Sequence, residues 1–143
     1  MAINTKFTPL VMLCKKKLDE VELQLQSNAQ EIIAKQGEID KLIAEFATLE
    51  TPKSGIYQAV LTFIHHKDEY RALIDLKIKE LALLKQKKRQ LQELFKTENI
   101  AYEKAKYLDN LEIKKRLEAL KRQESRDLDE ISVMLYANKK EFL

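Results

Sequence analysis

Apolar residues recur along the first third of the chain with the alternating three- and four-residue spacing of a coiled coil. Six repeats of seven residues follow one another without a break. The positions of this first seam are Val11, Cys14, Leu18, Val21, Leu25, Asn28, Ile32, Lys35, Ile39, Leu42, Phe46 and Leu49. The pattern predicts one long amphipathic helix, whose two polar seam positions, Asn28 and Lys35, can fix the register at some cost in stability.

Turn-forming residues are concentrated in one place, the sequence Thr51-Pro52-Lys53-Ser54-Gly55. Pro52 disfavours helical geometry at the residue before it, so the first helix should end here, and Ser54 can cap the second. Thr8 and Pro9 form the start signal of the first helix, a capping residue followed by proline at the first helical position.

Neither glycine nor proline occurs after Gly55. The sequence therefore predicts an all-α fold in which two long, unequal helices, about 9–50 and 56–138, are joined by a turn at 51–55. Because short connections make neighbouring helices antiparallel, we expect the chain, 1–143, to be a single antiparallel coiled-coil hairpin.

Pairing the helices outward from the turn aligns apolar residues along the whole first helix. The pairs in this register include Phe46 with Val60, Leu42 with Phe63, Lys35 with Tyr70, Ile32 with Ile74, Asn28 with Lys77, Leu25 with Leu81 and Val11 with Phe95. The second helix should then overhang the first, and residues 98–138 should have no partner within the chain.

Apolar side chains also lie outside the seam of the second helix. This off-seam stripe consists of Leu61, Ile64, Leu73, Leu76, Ile78 and Leu83. A helix with an unburied apolar face is expected to bury it against another molecule. Both the off-seam stripe and the overhang are therefore predicted to bind other proteins.

Composition agrees with this picture and adds an asymmetry of charge. Charged residues make up 34% of the chain, tryptophan is absent, and glycine and proline supply two residues each, which is typical of long helices. The formal net charge is +3, with the basic excess after residue 50, and this favours acidic partner surfaces without requiring nucleic acid. A lone cysteine, Cys14, and the lack of a signal peptide or an apolar membrane span favour the cytoplasm.

No group of residues predicts chemistry. His65 and His66 are adjacent in a helix and point about 100° apart, so they cannot hold one metal ion from a single face. Phosphate-binding glycine loops and catalytic triads are absent from the sequence. We expect no catalytic residue, no cofactor and no metal. The basic runs at Lys15–Lys17, Lys85–Arg89 and Lys114–Arg116 are interleaved with acids, which favours a solvated face or an acidic protein partner over nucleic acid.

The two ends of the chain resemble a known family. Lys6-Phe7-Thr8-Pro9-Leu10, followed by the basic-to-acidic run Lys15–Glu22, resembles the amino terminus of the flagellar export protein FliJ. The segment Lys121–Ile131 is similar to the basic stretch of that family, which closes in a Leu-Asp-Glu element. Length, central break and unequal helices also agree, so the resemblance covers essentially the whole chain.

The resemblance implies a component of the bacterial flagellar type III export apparatus, cytoplasmic and peripherally associated with the inner membrane. Its partners would be the hexameric export ATPase and the membrane protein of the export gate, with export chaperones as further partners. Members of the family look like the central stalk of a rotary ATPase. The residues expected to bind the ATPase ring are Leu117, Leu120, Arg122, Arg126, Leu128, Ile131 and Leu135, and those expected at the hairpin tip, facing the gate, are Phe46, Phe63, His66 and Tyr70.

The sequence leaves three other interpretations open. The chain could be the corresponding stalk protein of a virulence secretion system or a subunit of an energy-converting rotary ATPase. An interpretation of another class is a coiled-coil scaffold or a nucleic-acid adaptor that uses the basic runs. The overhanging helix could also pair isolated chains into a homo-oligomer.

Overall fold

Two helices make up the regular structure of the chain. The computed structural model describes residues 3–52 and 55–141, and within them it contains α1, Thr8–Ala47, and α2, Tyr57–Glu141, with no strand. The predicted all-α helical hairpin is confirmed. The predicted cap Ser54 lies outside the described residues.

Two threonines together form the start of α1. The Thr5 hydroxyl accepts a hydrogen bond from the Phe7 amide at 3.1 Å, and the Thr8 hydroxyl accepts one from the Thr5 amide at 2.8 Å. Thr5 and Thr8 therefore satisfy amides that the first helical turn leaves without intrahelical partners. The α-helical ladder begins with the Val11 amide, which donates to the Phe7 carbonyl at 3.0 Å.

The connection between the helices is longer than predicted. The amides of Thr48 and Leu49 donate to carbonyls three residues back, which tightens and closes the last turn of α1. The Thr48 hydroxyl donates to the Glu45 carbonyl at 2.8 Å and competes with continuation of the helix. As a result α1 ends at Ala47 instead of residue 50, and nine residues, 48–56, connect it to α2.

The predicted seam of α1 is confirmed, since each of its positions from Val11 to Leu49 is buried or half-buried. A second seam with the same spacing runs along α2. Its buried and half-buried members include Phe63, Lys67, Tyr70, Ile74, Lys77, Leu81, Leu84, Leu91, Phe95, Glu98, Tyr102, Ala105 and Asp109. Heptad spacing on both helices places these residues on facing surfaces.

The predicted register between the helices is wrong. Lys35 was expected opposite Tyr70, but its Nζ atom lies 2.7 Å from a carboxylate oxygen of Glu80. The Tyr70 hydroxyl instead donates to Glu45 at 3.4 Å. Asn28 was expected opposite Lys77, and its Nδ2 atom donates instead to the Leu84 carbonyl at 3.2 Å. Each residue of α1 therefore meets a part of α2 about seven to ten residues further along than predicted.

The length of the connection explains how this register is possible. A non-helical residue advances the chain by up to about 3.3 Å, against 1.5 Å for a helical one. Residues 48–56 can therefore start α2 beyond the end of α1, whereas the predicted five-residue turn would hold the two helix ends at one level.

The described chain divides into two packed units, one comprising residues 19–97 and the other the residues up to 18 together with those from 98 onward. In the second unit, Ala105 is only 2% exposed, and the guanidinium of Arg116 donates to the Asn4 carbonyl. The prediction that 98–138 has no partner within the chain is therefore wrong for its first half. From Leu117 to Lys139, every described side chain is exposed.

Asp109 holds the amino-terminal segment onto α2. Its Oδ1 atom accepts hydrogen bonds from the hydroxyls of Thr5 and Thr8, and Thr5 is 7% exposed. A buried hydroxyl that loses its partner costs about 1–3 kcal/mol. Asp109 and Arg116 together determine where the covered part of α2 ends and where its exposed part begins.

We expect Asp109→Ala to loosen residues 3–11 from α2 because two hydroxyl donors lose their acceptor. Native-state hydrogen exchange should show amides in this segment exchanging about five- to a hundredfold faster, with the amides of residues 19–97 unchanged. Asp129→Ala, which removes an exposed aspartate further along α2, is the matched control. Equal exchange in Asp109→Ala and the wild type would show that this carboxylate does not hold the segment.

Candidate protein-binding surfaces

The carboxyl-terminal part of α2 exposes all seven residues predicted to bind an ATPase ring. This carboxyl-terminal surface consists of Leu117, Leu120, Arg122, Arg126, Leu128, Ile131 and Leu135. Leu128, Ile131 and Leu135 share one face of the helix because they are three and four residues apart. They are 64%, 52% and 62% exposed.

Charge and further apolar groups occupy the other sides of the same helix. Arg126 lies two residues before Leu128 and therefore on nearly the opposite face. Val133 and Met134, which the sequence prediction missed, are 68% and 63% exposed. The uninterrupted apolar run at 133–136 is the signal that could have identified them. The end of the helix thus presents apolar side chains in several directions.

Three of the four predicted tip residues are packing residues. Phe46, Phe63 and Tyr70 are half-buried on the two seams. The Lys67 ammonium lies over the rings of Phe46 and Phe63, 5.9 Å and 5.8 Å from their centroids, and such cation–π contacts stabilise aromatic side chains at a surface. His66 is exposed, and its Nδ1 atom lies 3.8 Å from Glu69.

An exposed apolar group lies next to these residues, at the start of α2. This tip stripe consists of Tyr57, Val60, Leu61 and Ile64, whose spacing of three, four and seven residues places them on one side of the helix. Tyr57 is 76% exposed, and the other three are 38–47% exposed. The sequence analysis predicted Val60 on the seam, because the predicted register put α1 beside this turn of α2. It did not identify Tyr57 as an exposed residue.

The remaining members of the off-seam stripe are also exposed. Leu73, Leu76 and Ile78 are 40–52% exposed, and Leu83 is 65% exposed. Leu83 lines an open groove between the helices together with Ala34 and Lys87. These side chains lie outside the seam of α2, and their binding of another protein stays a prediction.

Four charged side chains form an ion cluster across the two helices: Lys35, Glu38, Lys77 and Glu80. Lys35 lies 2.7 Å from Glu80 and 3.4 Å from Glu38, and Lys77 lies 3.2 Å from Glu38. The hydrogen bond with Glu80 is the main cause that raises the pKa of Lys35. Hydrogen bonds with Lys77 and Lys35 lower the pKa of Glu38, and the bond with Lys35 lowers that of Glu80. Lys35, Glu38 and Glu80 therefore stay charged near neutral pH.

Aromatic and histidine side chains elsewhere are engaged in local contacts. Tyr102 is half-buried, with the ammonium groups of Lys15 and Lys106 over its ring at 5.6 Å and 4.8 Å. Tyr107 is 65% exposed. His65 lies 3.0 Å from Glu69. Across residues 3–52 and 55–141, no three histidine, cysteine, aspartate or glutamate side chains are grouped to hold a metal ion.

The fold is a coiled-coil hairpin that exposes apolar side chains at its tip and along the carboxyl-terminal part of α2. In the part of the chain that the structure describes, neither helix has a stretch long and apolar enough to span a membrane. The model of the flagellar FliJ protein family matches residues 3–141, nearly the whole chain. The chain therefore belongs to the FliJ family, whose members are flagellar export proteins. No curated protein and no solved structure matches the chain significantly.

Proposed function

We propose that this chain is a central-stalk-like coupling protein of the flagellar export apparatus, connecting the hexameric export ATPase to the membrane export gate. It would be associated peripherally with the cytoplasmic face of the inner membrane through these partners. Escort of export chaperones is part of the same proposal.

The carboxyl-terminal surface is the observation that carries the proposal. All of its side chains are exposed, and its arginines lie on the face opposite Leu128 and Ile131. The neighbouring Val133 and Met134 add exposed apolar groups that point in other directions. A partner that touches one side of a helix needs one apolar face, whereas a ring around the helix contacts all of its sides. This distribution supports insertion into a ring.

The tip stripe supports a second contact at the other end of α1. Tyr57, Val60, Leu61 and Ile64 form an exposed apolar group of the kind found at protein interfaces, and His66 adds a polar group nearby. Two separate surfaces, one in each packed unit, fit a protein that holds two partners at once. We assign the tip stripe to the export gate.

The proposal is tested by adding the purified chain to the purified hexameric export ATPase and measuring ATP hydrolysis and hexamer formation. Both should increase, because a rod bound within the ring favours the assembled state by mass action. A variant with Leu23→Asp and Ile33→Asp, two exposed apolar residues of α1 outside the proposed surfaces, should stimulate equally. If the wild-type chain changes neither quantity, the coupling function is disproved.

A further inference from the structure

Three cations, Lys85, Lys88 and Arg89, form a basic face in the middle of α2. Their spacing of three and four residues places the side chains on one side of the helix, and all three are exposed. Lys88 occupies a seam position, whereas the other α2 seam positions between 63 and 109 are buried or half-buried. The basic face therefore begins at the edge of the packed interface and extends outward from it.

Neither helix supplies an acid at the level of the basic face. On α2 the nearest acids in sequence are Glu80 and Glu93, and each of them pairs with another lysine. On α1, residues 23–30 contain no charged residue. They lie beside this part of α2, since Asn28 donates to the Leu84 carbonyl at 3.2 Å. Across the part of the chain that the structure describes, the three cations form no ion pair.

The three cations repel one another. Like charges three or four residues apart destabilise a helix, and both the pair Lys85 and Lys88 and the pair Lys85 and Arg89 have this spacing. A bound anion offsets the repulsion, because it brings negative charge close to all three groups. Arg89 can also hold a carboxylate through two parallel hydrogen bonds. The basic face is therefore complementary to a group of carboxylates on another molecule.

The acids at the borders of this region limit the size of the anion. Residues 81–92 of α2 contain no acid, which is a length of about 18 Å. An extended peptide of about five residues fits this length at about 3.3 Å per residue. Glu80 and Glu93 lie about 6–8 Å along the axis from the nearest cation, within one Debye length of about 8 Å. They therefore repel a membrane surface or a nucleic-acid duplex that lies along α2.

We propose that Lys85, Lys88 and Arg89 bind a short acidic segment of another protein, extended along α2 over about five residues. In sequence, this site lies between the tip stripe and the carboxyl-terminal surface. It is an additional contact that goes beyond the proposed coupling function and does not depend on it.

Binding of a fluorescein-labelled hexaglutamate peptide to the full chain tests this site. The measurement is fluorescence anisotropy at low ionic strength, because salt screens exposed charges. The wild type should bind the peptide, and a variant with Lys85→Ala, Lys88→Ala and Arg89→Ala should bind it about tenfold more weakly. Circular dichroism should show unchanged helicity, since alanine favours helices and none of the three side chains is buried.

A variant with Lys41→Ala, Lys79→Ala and Lys87→Ala is the matched control. It removes the same total charge from three exposed lysines outside the basic face. Lys87, for example, lies on the other side of α2, where it lines an open groove together with Glu31. The control should bind the peptide like the wild type. Equal weakening in both variants would overturn the proposal, because it would show that only net charge matters, and so would a wild type that does not bind.

Phosphatidylglycerol vesicles and a short DNA duplex are the competing probes. Neither should displace the peptide from the wild-type chain. If one of them displaces it and binds through the same three cations, the proposal is overturned, and the basic face belongs to a membrane or a nucleic-acid contact. No export protein takes part in these measurements, so their outcome is independent of the coupling function, and the ATPase assay can fail while this result stands.

Discussion

A chain with both Leu128→Asp and Ile131→Asp is expected to lose its ability to bind and stimulate the hexameric export ATPase. The two side chains are 64% and 52% exposed and share one face of α2. Burying each against a partner contributes about 1.5–3 kcal/mol, so replacing both by carboxylates should weaken binding more than about a hundredfold. The binding constant and the rate of ATP hydrolysis are the quantities to measure.

The control for this variant is Leu23→Asp with Ile33→Asp, which changes the same residue types at similar exposure. It should bind and stimulate like the wild type. Circular dichroism should give equal helicity for all three proteins, because none of the four residues contributes to a seam. If the Leu128→Asp, Ile131→Asp protein still stimulates hydrolysis fully, the carboxyl-terminal surface is not part of the ring interface.

The existence of the two helices and their seams was predictable from the sequence because both depend on local patterns. Heptad spacing is read within one helix, and every predicted seam position of α1, from Val11 to Leu49, is buried or half-buried. The single cluster of turn-forming residues likewise predicted where the connection lies. The connection was predicted to begin at residue 51, and it begins at residue 48.

The register could not be predicted, because it depends on contacts between residues far apart in sequence. Regular heptads pair almost equally well after a slide of one or one and a half repeats. The groups that decide between registers are the pairs Lys35 with Glu80 and Thr5 with Asp109, and neither pair has a local sequence signal.

The error in the register also explains which surface residues were missed. With α1 placed too far toward the start of α2, Val60 was assigned to the seam. Phe46, Phe63 and Tyr70 were paired on the seam in that register and were also predicted to bind a partner at the hairpin tip. In the structure these three aromatic residues are half-buried, and Tyr57 is exposed instead. The exposure of the carboxyl-terminal surface does not depend on the register, because its residues lie beyond the part of α2 that pairs with α1.

A chain with both Leu61→Asp and Ile64→Asp should lose binding to the export gate and keep its stimulation of the export ATPase. Both residues are 47% exposed, three residues apart in the tip stripe, and in a different packed unit from the carboxyl-terminal surface. Loss of two apolar contacts predicts gate binding weaker by about a hundredfold, measured by titration of the detergent-solubilised gate.

The Leu128→Asp, Ile131→Asp protein is the reciprocal control, since it should bind the gate normally and fail with the ATPase. Opposite losses in the two variants are what a coupling protein with two independent contacts requires. Joint loss of both activities in the Leu61→Asp, Ile64→Asp protein, with helicity intact, would contradict separate contacts.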